Sequence, residues 1–222
     1  MTAPAEARFA KLLAIAQTKY DHGDPSHDFA HILRVVKTCR ELGEAEGADL
    51  EVLLPAALLH DVVNLPKDHP ERKRASEYAA TEAKSIMRGI GYSEDVMERT
   101  GRAIVEHSFS AGHKPSQIES AILQDADRLD ALGAIGLLRM VTVGARLGRS
   151  FYDPADAFAE KRALDDKTYT IDHFGTKLFK LAAMMNTASA RQEADRRTNH
   201  MRDFLSQLKS EIPSEGFDIT NV

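Results

Sequence analysis

The stretch Pro55-Ala56-Ala57-Leu58-Leu59-His60-Asp61-Val62-Val63 decides the reading of this 222-residue chain. Its apolar run predicts a buried helix, yet the run carries a histidine beside an aspartate, and buried polar groups need partners. A divalent metal ion is one such partner. His31 lies 29 residues before His60, in His27-Asp28-Phe29-Ala30-His31, and Asp127 lies 66 residues after Asp61, in Gln124-Asp125-Ala126-Asp127-Arg128-Leu129-Asp130. Two imidazoles and two carboxylates suit a borderline divalent ion and leave positions for water and substrate oxygens if the ion takes six ligands. Successive helical residues point about 100° apart, so His60 and Asp61 reach one ion together only near a helix end or in a groove between helices. Taken alone, the dipeptide reads more simply as a satisfied polar pair at a helix end.

Outward from this stretch the period is helical, with apolar residues three or four apart and no convincing alternation, which predicts an all-α protein. Phe9, Leu12, Leu13, Ala16 and Tyr20 line a first helix that stops at Asp21-His22-Gly23-Asp24-Pro25. A second carries Phe29, Ile32, Leu33, Val36, Cys39 and Leu42 at core spacing. The third runs from about Asp49 to Val63, and Pro55 either kinks it or marks its start. A polar loop, Leu65 to Arg74, leads into a helix over Ala75 to Arg88, and Ser93 caps the next, which runs toward Glu106. Ser116-Gln117-Ile118-Glu119 is a capping-box pattern that starts the helix carrying Asp125 and Asp127 inward. Arg128 to Leu147 is expected to continue helically, with Gly133 and Gly136 allowing close approach of a neighbour. After a loop from Gly148 to Thr170, with a short helical turn near Ala155 to Arg162, a last long helix is expected from Asp172 to Ile212.

The length suits one domain burying roughly 70% of its unfolded surface. No linker or internal repeat is visible, so residues 1–222 read as one domain, with core motifs in 27–130 and C-terminal helices in 131–212 completing it. Hydrophobic residues make up 43% and charged residues 28%, with no run long enough to span a membrane and no secretory signal at the N-terminus. A cytoplasmic location is expected. The net charge of −5 argues against binding nucleic-acid backbones, which need a basic face. Cys39 is the single cysteine, so no intramolecular disulfide forms.

Leu58-Leu59-His60-Asp61, with His31 before it and Asp127-Arg128-Leu129 after it, resembles the HD superfamily of metal-dependent phosphohydrolases, and more closely its YedJ-like bacterial branch. The resemblance extends through His107-Ser108-Phe109-Ser110, through the run from Gln124 to Gly136, and through Asp165-Asp166-Lys167 with Asp172-His173-Phe174. It implies a helical bundle around the ion, with His31, His60, Asp61 and Asp127 as metal ligands. The ion implied is divalent, Mg or Mn first, with Ni, Co, Fe or Zn allowed by the same ligands. His27 and His31 are spaced like zinc ligands on one helical face, but the glutamate of a zinc protease is absent between them. Asp28 is expected at the helix start, within reach of a ligand imidazole.

Around this set, Asp61 and His107 are the candidate catalytic residues: Asp61 to ligate and share a proton with a water, His107 as a phosphate contact or proton donor, against a duller role at a helix C-terminus. Lys67, Arg72 and Arg128 are candidate substrate contacts, the first two in a basic cluster with Lys73 and Arg74 that otherwise reads as a solvated face. Arg34 reaches the site or pairs with an acid. His69 and His113 are not assigned as ligands. Asp165, Asp166 and His173 have no role derivable from spacing.

The function expected is hydrolysis of a phosphate ester or anhydride, and the resemblance implies a phosphorylated small molecule, first of all a nucleotide, as partner. The alternative is a regulatory protein that holds metal and nucleotide without turnover. A di-iron oxygenase would need more histidines near the metals than His107. No Walker lysine loop, dinucleotide fingerprint or Cys-x-x-Cys is present, and the Gly-Tyr-Pro signature of cyclic dinucleotide phosphodiesterases is missing. Spacing says nothing of oligomeric state.

Overall fold

A computed structural model describes residues 1–20, 28–63, 65, 69–108 and 112–213. Among these the chain is helical with no strand, and the only β pairing is an isolated bridge between Ser150 and Tyr169. The expected all-α class holds. No described helix is long and apolar enough to cross a membrane. The helices fall into two compact units, residues 1–130 with 185–190, and residues 131–184 with 191–222.

The first unit is organised around α3 (Leu50–Leu59), whose residues Val52 to Leu59 are all buried. A helix apolar on every face has no solvent side, so it must sit inside a layer of others. It does: α1 (Ala3–Gln17), α2 (Phe29–Glu46), α4 (Ala75–Ile90), α5 (Glu94–His107) and α6 (Ile118–Leu129) all pack against it. Gly43 of α2 permits the α2–α3 approach, since a Cβ there would stand 2.7 and 2.8 Å from the Leu53 and Leu50 side chains. Asp49 caps α3 by accepting from the Glu51 N–H at 2.9 Å, so Pro55 lies inside the helix and does not mark its start. The helix ends at Leu59, leaving His60 and Asp61 just past its last turn.

Two local expectations gave way to tertiary partners. On α2 the buried stripe is His31, Ile32, Val35, Thr38, Cys39 and Leu42, while Leu33 is exposed. Cys39 is fully buried in that stripe. The Ser116 capping box does not form, because Glu106 accepts from Ser116 N–H at 2.9 Å and Oγ–H at 2.6 Å. Glu119 instead accepts from the Asp49 N–H and Arg99. Ser93, by contrast, caps α5 through the Val96 N–H as expected.

The predicted helix from Asp172 to Ile212 is broken. Within the second unit a π-helical turn, Phe174–Leu178, runs into the short α8 (Phe179–Leu181) and a 3-10 turn, Ala182–Met184. The helix α9 (Ala188–Glu211) begins only after Asn186 and Thr187. The buried Asp125 carboxylate of α6 explains the break: it accepts from the Asn186 and Thr187 N–H groups, both at 2.8 Å, and from the Thr187 hydroxyl and Asn186 amide. Backbone N–H groups committed to a side chain cannot continue a helical ladder.

Nor does α6 run on to Leu147. It stops at Leu129, and α7 (Gly133–Arg146) is a separate helix. Gly136 makes the tight turn possible, since a Cβ there would lie 2.2 Å from the Ala131 carbonyl oxygen, and Gly133 lies against Arg197 of α9. Residues 155–162 hold turns but no helix. Asp156 accepts from the N–H groups of Glu160, Lys161 and Arg162 there. Asp172 is buried, receiving the Arg162 guanidinium and the Asp165 N–H. His173 Nδ1 donates to Asp166 at 2.6 Å, and Thr176 donates to the same oxygen at 2.9 Å.

Candidate metal centre

The end of α3 sets the centre. His60 donates Nδ1–H to the Ala57 carbonyl at 2.8 Å, a bond back onto its own last turn that fixes the ring. Tyr20 donates its hydroxyl to the Leu58 carbonyl at 2.8 Å, satisfying a second carbonyl that the helix end leaves open. Burial, with the Asp61 charge beside it, pushes the Tyr20 phenol well above its ordinary value. His60 is 1% exposed, whereas the Asp61 side chain keeps about a quarter of its surface open.

Three further elements close on this point. α2 brings His31, fully buried, whose Nδ1 donates to Asp130 at 2.7 Å and whose Nε2 lies 3.6 Å from Asp127 Oδ1. α6 brings Asp127, and α5 brings His107 at its last residue, with Nδ1 donating to the Ile104 carbonyl at 2.5 Å. The His60 ring stands edge-on to both other imidazoles, 5.6 Å from His31 and 4.9 Å from His107 between centroids. Asp61 spans the gap, its oxygens 3.7 Å from His60 Nε2 and 3.9 Å from His107 Nε2.

Each Nδ1 faces an acceptor with no proton to give, so each neutral ring carries its hydrogen there and turns the Nε2 lone pair inward. The buried Nε2 of His60 makes no hydrogen bond among the described residues. An inward lone pair with no donor to meet it fits a cation. Two overlapping sets of donor atoms could hold one: His31, His60 and Asp127, and His60, Asp61 and His107, each set within 4.8 Å. Burial, reinforced by neighbouring His60, pushes His107 below the ordinary imidazole value. It is therefore neutral near pH 7, and its Nε2 presents a lone pair to a hydrogen-bond donor or a cation.

Lys67 and His27 lie outside the described residues. Arg72 donates to the Leu65 carbonyl, and Arg74 pairs with Glu71 and Glu77. Arg128 is half-buried beside Asp127, 3.8 Å from Asp125, and burial lowers its guanidinium from the ordinary value. Arg34 pairs with an acid, Asp130, through Nε at 2.7 Å and Nη2 at 3.0 Å. Asp28 caps α2 through the His31 backbone N–H. The carboxylate on the His31 ring is Asp130, which sequence reasoning passed over. Its only trace was the repetition of aspartate three residues after Asp127, one turn along the same helix.

An all-α unit that turns three imidazoles and two carboxylates onto one point is a protein built around a candidate divalent-cation centre. Comparison with known proteins gives that class a family. The HD domain matches residues 28–132. Bacillus subtilis YpgQ is 34% identical over 192 residues, 84% of this chain and 85% of YpgQ. The crystal structure of YpgQ in complex with ADP superposes with a TM-score of 0.75 at 30% identity, covering 95% of this chain and 98% of that one. A Bacillus thuringiensis structure described as an HD-superfamily hydrolase also gives 0.75 at 30% identity, covering 93% and 97%. The chain belongs to the HD domain family.

Proposed function

We propose that this protein is a metal-dependent phosphohydrolase that cleaves a phosphate ester or anhydride of a nucleotide. The observation that carries the reading is the inward lone pair of His60, left without a hydrogen bond in a buried site where its neighbours are imidazoles and carboxylates. His31, His60, Asp61 and Asp127 hold the ion. When bound, a divalent ion acidifies water and polarises a phosphoryl oxygen.

The chain's own residues do the rest. Asp61, whose oxygens lie 3.7 Å from His60 Nε2 and 3.9 Å from His107 Nε2, orients the attacking water by accepting a hydrogen bond. His107, neutral and with Nε2 turned toward Asp61, takes a proton rather than supplying one, which reverses the donor role the sequence suggested for it. Arg128, next to Asp127, offers charge to a phosphate. Arg72 belongs to the same reading as a phosphate contact. The nucleotide assignment is supported by YpgQ, which was crystallised with ADP.

The test is a panel of nucleoside mono-, di- and triphosphates and simple phosphomonoesters, offered to the purified protein with Mg²⁺, Mn²⁺, Co²⁺, Ni²⁺, Fe²⁺ or Zn²⁺. Turnover by the wild type, lost to background in His60→Ala and Asp61→Ala, is expected. No turnover with any pair would overturn the reading. The complex of YpgQ with ADP also fits a second reading, a protein that binds metal and nucleotide without hydrolysing the nucleotide. Calorimetric nucleotide binding with no product over hours would select it.

A further inference from the structure

The three imidazoles of the centre are not equivalent. His60 and His107 give their Nδ1 hydrogens to backbone carbonyls of their own helices, at 2.8 and 2.5 Å. His31 gives its hydrogen to a carboxylate, Asp130 Oδ2 at 2.7 Å. The Asp130 side chain is 4% exposed, and Arg34 grips both its oxygens, Nε on Oδ1 at 2.7 Å and Nη2 on Oδ2 at 3.0 Å. A guanidinium fork on both oxygens fixes the plane of the carboxylate and keeps it charged. The same pair could be merely an ion pair joining α2 to α6. An imidazole bonded to a charged acceptor, however, gains electron density at its other nitrogen and is locked in one tautomer.

We propose that Asp130, clamped by Arg34, is a positioning residue that holds His31 in its Nδ1–H tautomer and strengthens Nε2 as a donor to the cation. This rests on the reading of His31 as a metal ligand. Helix α6 then serves the ion twice, through Asp127 directly and through Asp130 by way of His31. An asparagine cannot replace Asp130 in this role. It has one oxygen for three N–H donors, and its amide must face either the guanidinium or the imidazole. In the second case His31 turns to the Nε2–H tautomer, which has no lone pair to offer inward.

Two measurements on chelator-treated and Mn²⁺-titrated protein decide it. Long-range ¹H–¹⁵N spectra of the histidine rings, with His31 assigned by His31→Gln, are expected to show wild-type His31 wholly as Nδ1–H and to show the Nε2–H tautomer populated in Asp130→Asn. Calorimetry is expected to show Mn²⁺ bound about 10- to 100-fold more weakly by Asp130→Asn. An Nε2–H tautomer of His31 in the wild type would overturn the proposal even if Asp130→Asn fails to fold. So would wild-type Mn²⁺ affinity in a folded Asp130→Asn. A wild type that takes up no Mn²⁺, as His60→Ala is expected to behave, would instead overturn the metal reading itself and this proposal with it.

Discussion

His107 is a buried imidazole whose proton the fold opposes, and that has a sign. Its folded value lies below the ordinary one, so the unfolded chain takes up a proton at a higher pH than the native chain does. The His107 contribution to stability is therefore flat above about pH 6.5 and falls as pH drops below that toward the folded value. Denaturant titrations of metal-free protein at pH 7.5 and 5.5 should show a loss in the wild type and a smaller one in His107→Gln; equal losses would remove His107 as a source. At this scale the sequence was most readable where chemistry clashed with its surroundings, as at His60-Asp61 in an apolar run. Asp130 was not readable, because an aspartate at a helix end announces a charge but not a partner 99 residues away.

Among the elements, α6 shows how one helix divides its labour. Asp125 and Asp127 sit about 200° apart around it, one accepting from the junction before α9 and the other facing His31. Asp125→Ala strands the Asn186 and Thr187 donors in a buried place and should cost about 3 kcal/mol in chemical denaturation. Its Mn²⁺ affinity should stay close to wild type in the folded protein, and a matching loss of affinity would show the two faces coupled. Gly136→Ala forces a methyl group onto the Ala131 carbonyl and should destabilise by about 1 to 3 kcal/mol, read as a lower unfolding midpoint. Helix starts governed by neighbouring residues, such as Ser93, were legible. The missing Ser116 cap and the interrupted C-terminal helix were not, since Glu106 and Asp125 reach those backbones from other helices.

For the whole molecule, a cation that binds the native site and not the unfolded chain must raise the melting temperature. At a hundred times its dissociation constant such an ion adds about 2.7 kcal/mol. Thermal melts with Mn²⁺ and with chelator should differ accordingly in the wild type and coincide in His60→Ala; coincidence in the wild type would contradict the site. The all-α class was legible from the helical period, which repeats along the chain. The division into two compact units was not, because no Pro- or Gly-rich linker marks the passage at Asp130 to Ala131. Cys39, fully buried on α2, turns this coupling into something countable. Burial first, then the Asp127 and Asp125 charges, push its thiol well above the ordinary value, so alkylating reagents find neither access nor thiolate in the native state. The chain has one cysteine, so each adduct by mass spectrometry records one molecule that has opened, and the slowing of that label by Mn²⁺ times the opening of the fold around its cation.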